Sequence, residues 1–231
     1  MNLMNDFKQV SGVWMDITDP AGYVTANPLI DGLPTYQYEQ LDACVKACGK
    51  RLHTVIDGGA HIGLWSIHLV KKFQQVIAFE PMFKNFKCLR LNTLSNVNIT
   101  LYQAALSNYT GQIGMAGRGS KSFKWWVTPQ GSIIDKFVSC LKLDTLNLQN
   151  VDLIKLDVES HEFEALQGAA ETIQRCKPII MIEDKLDPEK RATKYLQELG
   201  MNMIWSRKHD YLFVWPKTDE KEANHGITNP T

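Results

Sequence analysis

The stretch Thr54–Gly63, TVIDGGAHIG, decides how this chain is read. Thr54, Val55 and Ile56 are apolar or β-branched and run into an acidic residue, Asp57. Small residues follow, and then an amphipathic segment begins. That order describes a buried strand that ends in a tight turn and opens a helix. Such a turn lets backbone N–H groups and a helix N-terminus approach a nucleotide-like ligand.

Outward from this stretch the same alternation repeats. Ile62, Trp65, Leu69 and Phe73 mark one helical face, and QVIAFE, ending at Glu80, reads as a second strand. Phe83, Phe86, Leu89 and Leu94 line the next helix, and NITLYQAAL, 98–106, is a third strand. Residues 107–150 interrupt the pattern with the short strands GQIGMAG, SFKWWV and FVSCLKL, too long a break for a simple crossover. VDLIKLD, a helix over 162–175, PIIMIED and a helix over 188–199 resume it; MNMIWS and DYLFVW close as an antiparallel pair. Upstream, Tyr38–Cys48 reads as a helix after an irregular start punctuated by Pro20, Gly22, Pro28, Gly32 and Pro34. The expected organisation is an N-terminal extension or lid over 1–50 and a main domain over 51–216. The main domain carries 107–150 as an insertion or hairpin extension, and 217–231 is expected to form a disordered tail. Strands alternating with helices predict an α/β, doubly wound sheet, mostly parallel, with an antiparallel C-terminal strand pair.

The 231 residues carry 25 Lys+Arg against 25 Asp+Glu, so the net charge is zero and nothing at whole-chain level advertises a nucleic-acid partner. The cysteines, Cys44, Cys48, Cys88, Cys140 and Cys176, are odd in number and scattered, which argues against a disulfide framework and for a reducing compartment. The opening MNLMNDFKQV lacks the pattern of a secretory signal, and no apolar run reaches membrane-spanning length. A cytoplasmic location without a membrane partner is expected.

Asp57, Glu80, Asp157 and the pair Glu183–Asp184 all fall at predicted strand C-termini, on the rim where ligands of such sheets bind. The turn reads D-G-G-A-H-I-G, and an acidic residue, Glu80, follows 23 positions after Asp57. A carboxylate before the turn repels a pyrophosphate but suits an ammonium, and one at the next strand end takes both ribose hydroxyls. That combination favours S-adenosylmethionine over a dinucleotide. The expected cofactor contacts are Asp57, Gly58, Gly59, Ala60, Gly63, Glu80 and Pro81, with Ala105 and Leu106 walling the adenine. A structural glycine turn with a helix-capping Asp57 is the plain alternative.

VIDGGAHIG, AFEPMFKNFKCLRLN, AALSNYTGQ, CLKLDTL, VDLIKLDVESHEFEALQGA and PIIMIE occur in the order seen in FkbM-type methyltransferases. The resemblance covers roughly residues 53–185. It implies a class I methyltransferase (Rossmann-like) fold, S-adenosyl-L-methionine as cofactor, and methylation of hydroxyl oxygens on sugars or natural products. Asn85 and Asn92 match asparagines of the family and read as helix-surface or packing positions. One departure stands out: the family usually has D-V-E-G where this chain has Asp157–Val158–Glu159–Ser160. Either the turn is relaxed here or Ser160 caps the following helix.

A hydroxyl acceptor must lose a proton, so a base near the transferring methyl is required. Asp157 and His161 rank first, Glu159 next; His161 alone has an unperturbed pKa near neutrality. Acceptor contacts are expected from Tyr36, Tyr38, Trp125, Trp126, Glu183 and Asp184. A divalent metal held by Asp157, Glu183 and Asp184 is the less favoured variant. Arg118, Lys121 and Lys124 interleave with Phe123, Trp125 and Trp126 in a segment that reads as an acceptor flap or as a packed hairpin. The partner expected is a small-molecule or glycan acceptor. A nucleic-acid methyltransferase, a non-catalytic nucleotide-binding module and a nicotinamide-dependent oxidoreductase are the rival readings.

Overall fold

The computed structural model describes residues 3–117, 125–128 and 134–217. In chain order its elements begin with β1 (Phe7–Val10), β2 (Val13–Asp16), α1 (Gly22–Thr25), α2 (Tyr38–Cys48), β3 (Thr54–Gly58), α3 (Ser66–Leu69) and β4 (Gln75–Phe79). They continue with α4 (Phe83–Asn92), β5 (Ile99–Tyr102), β6 (Ala105–Leu106), β7 (Gly111–Gly117), β8 (Trp125–Val127) and β9 (Lys136–Leu141). The chain then forms β10 (Val151–Leu156), α5 (Glu162–Gln167), α6 (Ala170–Cys176), β11 (Ile179–Glu183), α7 (Arg191–Glu198), β12 (Asn202–Arg207) and β13 (Asp210–Val214).

Seven strands form the central sheet in the order β12-β13-β11-β10-β3-β4-β5. β5, β4, β3, β10 and β11 are parallel, and β13 runs antiparallel to both its neighbours. Alternate residues along each strand serve opposite faces. Ile56, Phe79, Ile154, Leu156, Ile180 and Phe213 pack under Leu166, Ile173 and Leu196 on one side. Val55, Val76, Leu153, Met181 and Leu212 pack against Leu41, Cys44, Trp65 and Leu69 on the other. Strands covered on both faces carry near-continuous apolar runs, which is why they stand out in the sequence. From β3 the chain winds outward through β4 and β5, then returns to β10 on the other side, so the crossover direction reverses between β3 and β10. A crevice opens at such a reversal, beyond the carboxyl ends of the strands.

Residues 107–150 form a second sheet in the order β6-β9-β7-β8, so this segment is a hairpin extension built on the end of the third predicted strand. That strand breaks after Tyr102: β5 stays in the central sheet, whereas β6 pairs with β9. The expected helix over 162–175 is also broken, into α5 and α6, at Gly168. A Cβ there would lie 1.9 Å from the Ser107 carbonyl oxygen, so the two segments approach too closely for any side chain. Two residues assigned to the apolar face of α4, Phe83 and Leu94, are exposed instead. The N-terminal hairpin β1–β2 packs Phe7, Val13 and Met15 onto Ile62, Leu64, Ile67 and Cys88. Asn92 fixes it: its side chain accepts from Trp14 N at 2.6 Å and donates to Trp14 O and Ile62 O at 3.0 and 2.7 Å. Arg118, Lys121, Phe123, Lys124 and the expected tail after residue 217 lie outside the described residues.

Candidate active site

The turn after β3 is built for close approach. Gly59 has φ +72°, and a Cβ on it would lie 1.8 Å from the Asp157 carbonyl oxygen, so this residue must be glycine. The turn's amides are committed: Gly59 N and Ala60 N both donate to Phe79 O, at 3.0 and 2.9 Å, and His61 N donates to Glu80 Oε2 at 2.9 Å. They therefore lock β3 to the tip of β4 rather than presenting free donors to a ligand, which corrects the sequence expectation.

Between β3, β4, β10 and the N-terminal segment lies a cavity of about 790 Å³, within the range of small-molecule sites. Gly59, Ala60, Glu80, Pro81, Ala105 and Leu106 line it as expected of cofactor contacts. Asp57, Gly58 and Gly63 do not line it. Asp57 is fully buried behind the turn, where Ser66 Oγ donates to it at 2.7 Å and Lys155 Nζ lies 3.2 Å away. Gly58 O accepts Lys155 Nζ and Asp157 N. Gly63, at φ +89°, sits where a Cβ would come within 2.7 Å of Leu89 Cδ1, so its role is packing α4 close.

Glu80 projects from the tip of β4. Its Oε1 accepts Met82 N at 2.9 Å and Asn85 Nδ2 at 3.4 Å. Burial pushes its carboxyl up to about 7 against the pull of those backbone donors. Each oxygen retains acceptor capacity toward the cavity. Asn85, read from sequence as a packing position, thus borders the site.

At the exit of β10, Asp157 and Glu159 line the cavity, as do Tyr36, Trp125 and Trp126. Burial and then Asp157 raise the Tyr36 hydroxyl to about 12 and the Glu183 carboxyl to about 8. Glu183 itself does not line the cavity. His161 lines it, yet its Nε2 is engaged with Ser107 Oγ at 2.9 Å, and its Nδ1 stands 3.4 Å from Glu164 Oε2. Glu164 is held in turn by Arg191 Nη1 at 2.8 Å. His161 is therefore a clamp between the β6 end and α5, and of the three base candidates Asp157 and Glu159 remain on the cavity wall without that clamping role. Asp184 turns away to accept Thr193 Oγ1 at 2.6 Å and to pair with Lys190, and Tyr38 packs edge-on against His68. Neither reaches the cavity. Among the described residues no group of three or more His, Cys, Asp or Glu side chains is arranged to hold a metal ion.

The Asp157–Ser160 turn satisfies neither expectation for its missing glycine. Glu159 and Ser160 keep φ of +53° and +77°, and the residue preceding α5 is His161, without a side-chain cap. The glycine-type backbone persists with serine in place.

Several lining residues escaped the sequence reading. Lys155, central in VDLIKLD, is buried beside Asp57 in register across β3–β10, and donates to Gly58 O and Gly59 O at 3.2 and 3.0 Å. Burial opposes its charge, but Asp57, Asp157 and Glu183 outweigh it and hold the ammonium above the ordinary lysine value. A lysine inside an otherwise apolar buried strand is the signal that would have found it. Trp65, read as a core residue, lines the cavity, as do His61 and Tyr23. Trp65 Nε1, His61 Nε2 and Tyr23 Oη are buried without a hydrogen-bond partner among the described residues. Orphaned polar atoms concentrated in one cavity wall are what a ligand site leaves when described alone.

A seven-stranded sheet of this order, with its cavity at the β3–β10 reversal and a carboxylate at the β4 tip, defines the class I methyltransferase architecture. The Methyltransferase FkbM domain profile matches residues 57–213, more than half of the chain, and the chain belongs to that family. A methyltransferase FkbM structure from Methylobacillus flagellatus is 22% identical with a TM-score of 0.51; the match covers 71% of this chain and 44% of that one. This chain thus spans under half the length of that relative. A precorrin-8w decarboxylase structure from Methanobacterium thermoautotrophicum is 14% identical with a TM-score of 0.50, over 79% and 91% of the two chains. A precorrin-6y C5,15-methyltransferase from Geobacter metallireducens is 16% identical with a TM-score of 0.49, over 85% and 95%. No curated protein matches the chain. Among the described residues no helix is long and apolar enough to cross a membrane.

Proposed function

We propose that this chain transfers a methyl group from S-adenosyl-L-methionine to a hydroxyl of a small molecule, sugar or glycan. The observation that carries the reading is the cavity at the β3–β10 reversal, with Glu80 at one end and Asp157 at the other. The residues present fit the cofactor. Glu80 offers acceptor capacity to a ribose, Ala104–Leu106 offer an apolar wall to a purine, and three orphaned polar atoms await partners in the same wall. When bound, the cofactor supplies an electrophilic methyl group on a sulfonium.

The chain's own residues orient the acceptor and take its proton. Asp157 is the base: it lines the cavity at the exit of β10. Glu183 belongs to the same acidic cluster, its carboxyl raised to about 8 by burial and then by Asp157. Trp125, Trp126 and Tyr36 present aromatic faces of the sort that stack on sugar rings.

Methyl transfer from labelled cofactor to a panel of sugars, glycans and hydroxylated small molecules, with RNA and DNA alongside, tests the reading. Asp157→Asn is expected to lower kcat by roughly 10²–10⁴ while leaving S-adenosylhomocysteine binding intact. Transfer confined to nucleic acid, or full turnover by Asp157→Asn, would contradict it.

A further inference from the structure

Trp65 is 4% exposed and lines the cavity, yet its indole N–H meets no acceptor among the described residues. A buried donor left unpaired is destabilising unless a ligand completes it. The order of the strands tells which part of a ligand this is. Adenine and ribose belong to the β5/β6 and β4 end, where Ala105, Leu106 and Glu80 stand. Trp65 enters from the segment after β3, beside β10, at the opposite side of the crevice.

A cation stands beside the indole. Lys155 Nζ lies 5.7 Å from the Trp65 ring centroid, and Lys155 lines the cavity whereas its counter-ion Asp57 does not. Of that ion pair only the ammonium is on the cavity wall, which it shares with Asp157. That ammonium already serves Gly58 O, Gly59 O and Asp57 Oδ1, so it contributes field rather than a free N–H. Of the three orphaned groups on this wall, Trp65 Nε1, His61 Nε2 and Tyr23 Oη, the indole is the obligate donor.

We infer that Trp65 anchors the α-carboxylate of the bound cofactor's amino-acid moiety, its indole N–H donating to the carboxylate in the field of Lys155. This rests on the cofactor reading above and deepens it. It also divides the work of the cavity: Glu80 selects the nucleoside, and Trp65 selects the amino acid attached to it.

Titration calorimetry with two ligands tests the inference without turnover. S-adenosylhomocysteine carries the amino acid; 5′-deoxy-5′-methylthioadenosine has the same nucleoside and sulfur but lacks it. Trp65→Phe keeps an aromatic ring at the site and removes the N–H. We expect it to weaken S-adenosylhomocysteine binding by about tenfold or more, the scale of one hydrogen bond to a charged group, and to leave methylthioadenosine unchanged. Unchanged methylthioadenosine affinity also reports that the variant's pocket is folded. Equal affinity of wild type and variant for S-adenosylhomocysteine overturns the anchor, as does equal weakening of both ligands. If the wild-type protein binds neither ligand, the cofactor reading fails and takes the anchor with it.

Discussion

Ser160 occupies backbone space that serine rarely takes, at φ +77°, directly after Glu159 at +53°. A non-glycine residue in that region carries roughly 1–2 kcal/mol of strain. Ser160→Gly removes it but frees the unfolded chain, which returns about 0.4–1 kcal/mol. The net expectation is a stabilisation of up to about 1 kcal/mol, read as a melting temperature raised by about 1–4 °C in a chain of this size. A lower melting temperature would mean that the serine hydroxyl makes a contact worth more than the strain. The two carboxylates of the cofactor hypothesis also separate at this scale. Glu80 reaches the cavity, whereas Asp57 is held behind the turn by Ser66 and Lys155. Sequence spacing cannot distinguish them, because both are strand-terminal acids, and the side of the strand each faces is decided by pairing across the sheet.

At the scale of elements, strands covered on both faces were the most legible, since each is a compact apolar run bounded by an acid or a turn. β3, β10, β11 and β13 sit where the pattern puts them. Helices were less so. The periodic face from Ile62 to Phe73 yields only the short α3 (Ser66–Leu69), and its start at Gly63 packs too close to Leu89 for a side chain. The split of 162–175 at Gly168 follows from a tertiary clash that no local pattern records. The N-terminal segment reads in the sequence as an extension or lid with Tyr36 and Tyr38 at the acceptor; Pro20, Tyr23, Tyr36 and Gln37 line the cavity, and Tyr38 does not. Its attachment depends on Asn92. Asn92→Ala would strip partners from Trp14 and Ile62 and should destabilise the β1–β2 hairpin by about 1–3 kcal/mol. Limited proteolysis should then cut within residues 1–35 before the central sheet yields. Simultaneous loss of hairpin and sheet would show that the two are one cooperative unit.

For the whole molecule, titration of buried groups sets the response to pH. Glu80, Glu162 and Glu183 are raised by burial to about 7, 8 and 8 from an ordinary 4.5, so the folded protein holds protons that the unfolded chain releases. Each contribution to stability is complete below 4.5 and is lost as pH rises through the folded values. His61, lowered by burial and Lys155 to about 4, acts oppositely, but only below its ordinary 6.5. Between pH about 6.5 and 8.5 the carboxyls act alone, so the melting temperature should fall across that window. Glu162→Gln should flatten the fall, since Gln keeps an acceptor for Val158 N and cannot ionise. A melting temperature that rises over the same window would refute the assignment of these carboxyls as protonated in the fold. What ties this charge distribution to chemistry is the single cavity wall shared by Glu80, Trp65, Lys155 and Asp157. A crystal structure of the protein with S-adenosylhomocysteine measures that most directly. The ligand should lie at the β3–β10 reversal with its ribose hydroxyls on Glu80 and its adenine against Ala105 and Leu106. Density for the ligand anywhere else, or a ribose with no contact to Glu80, would contradict the account.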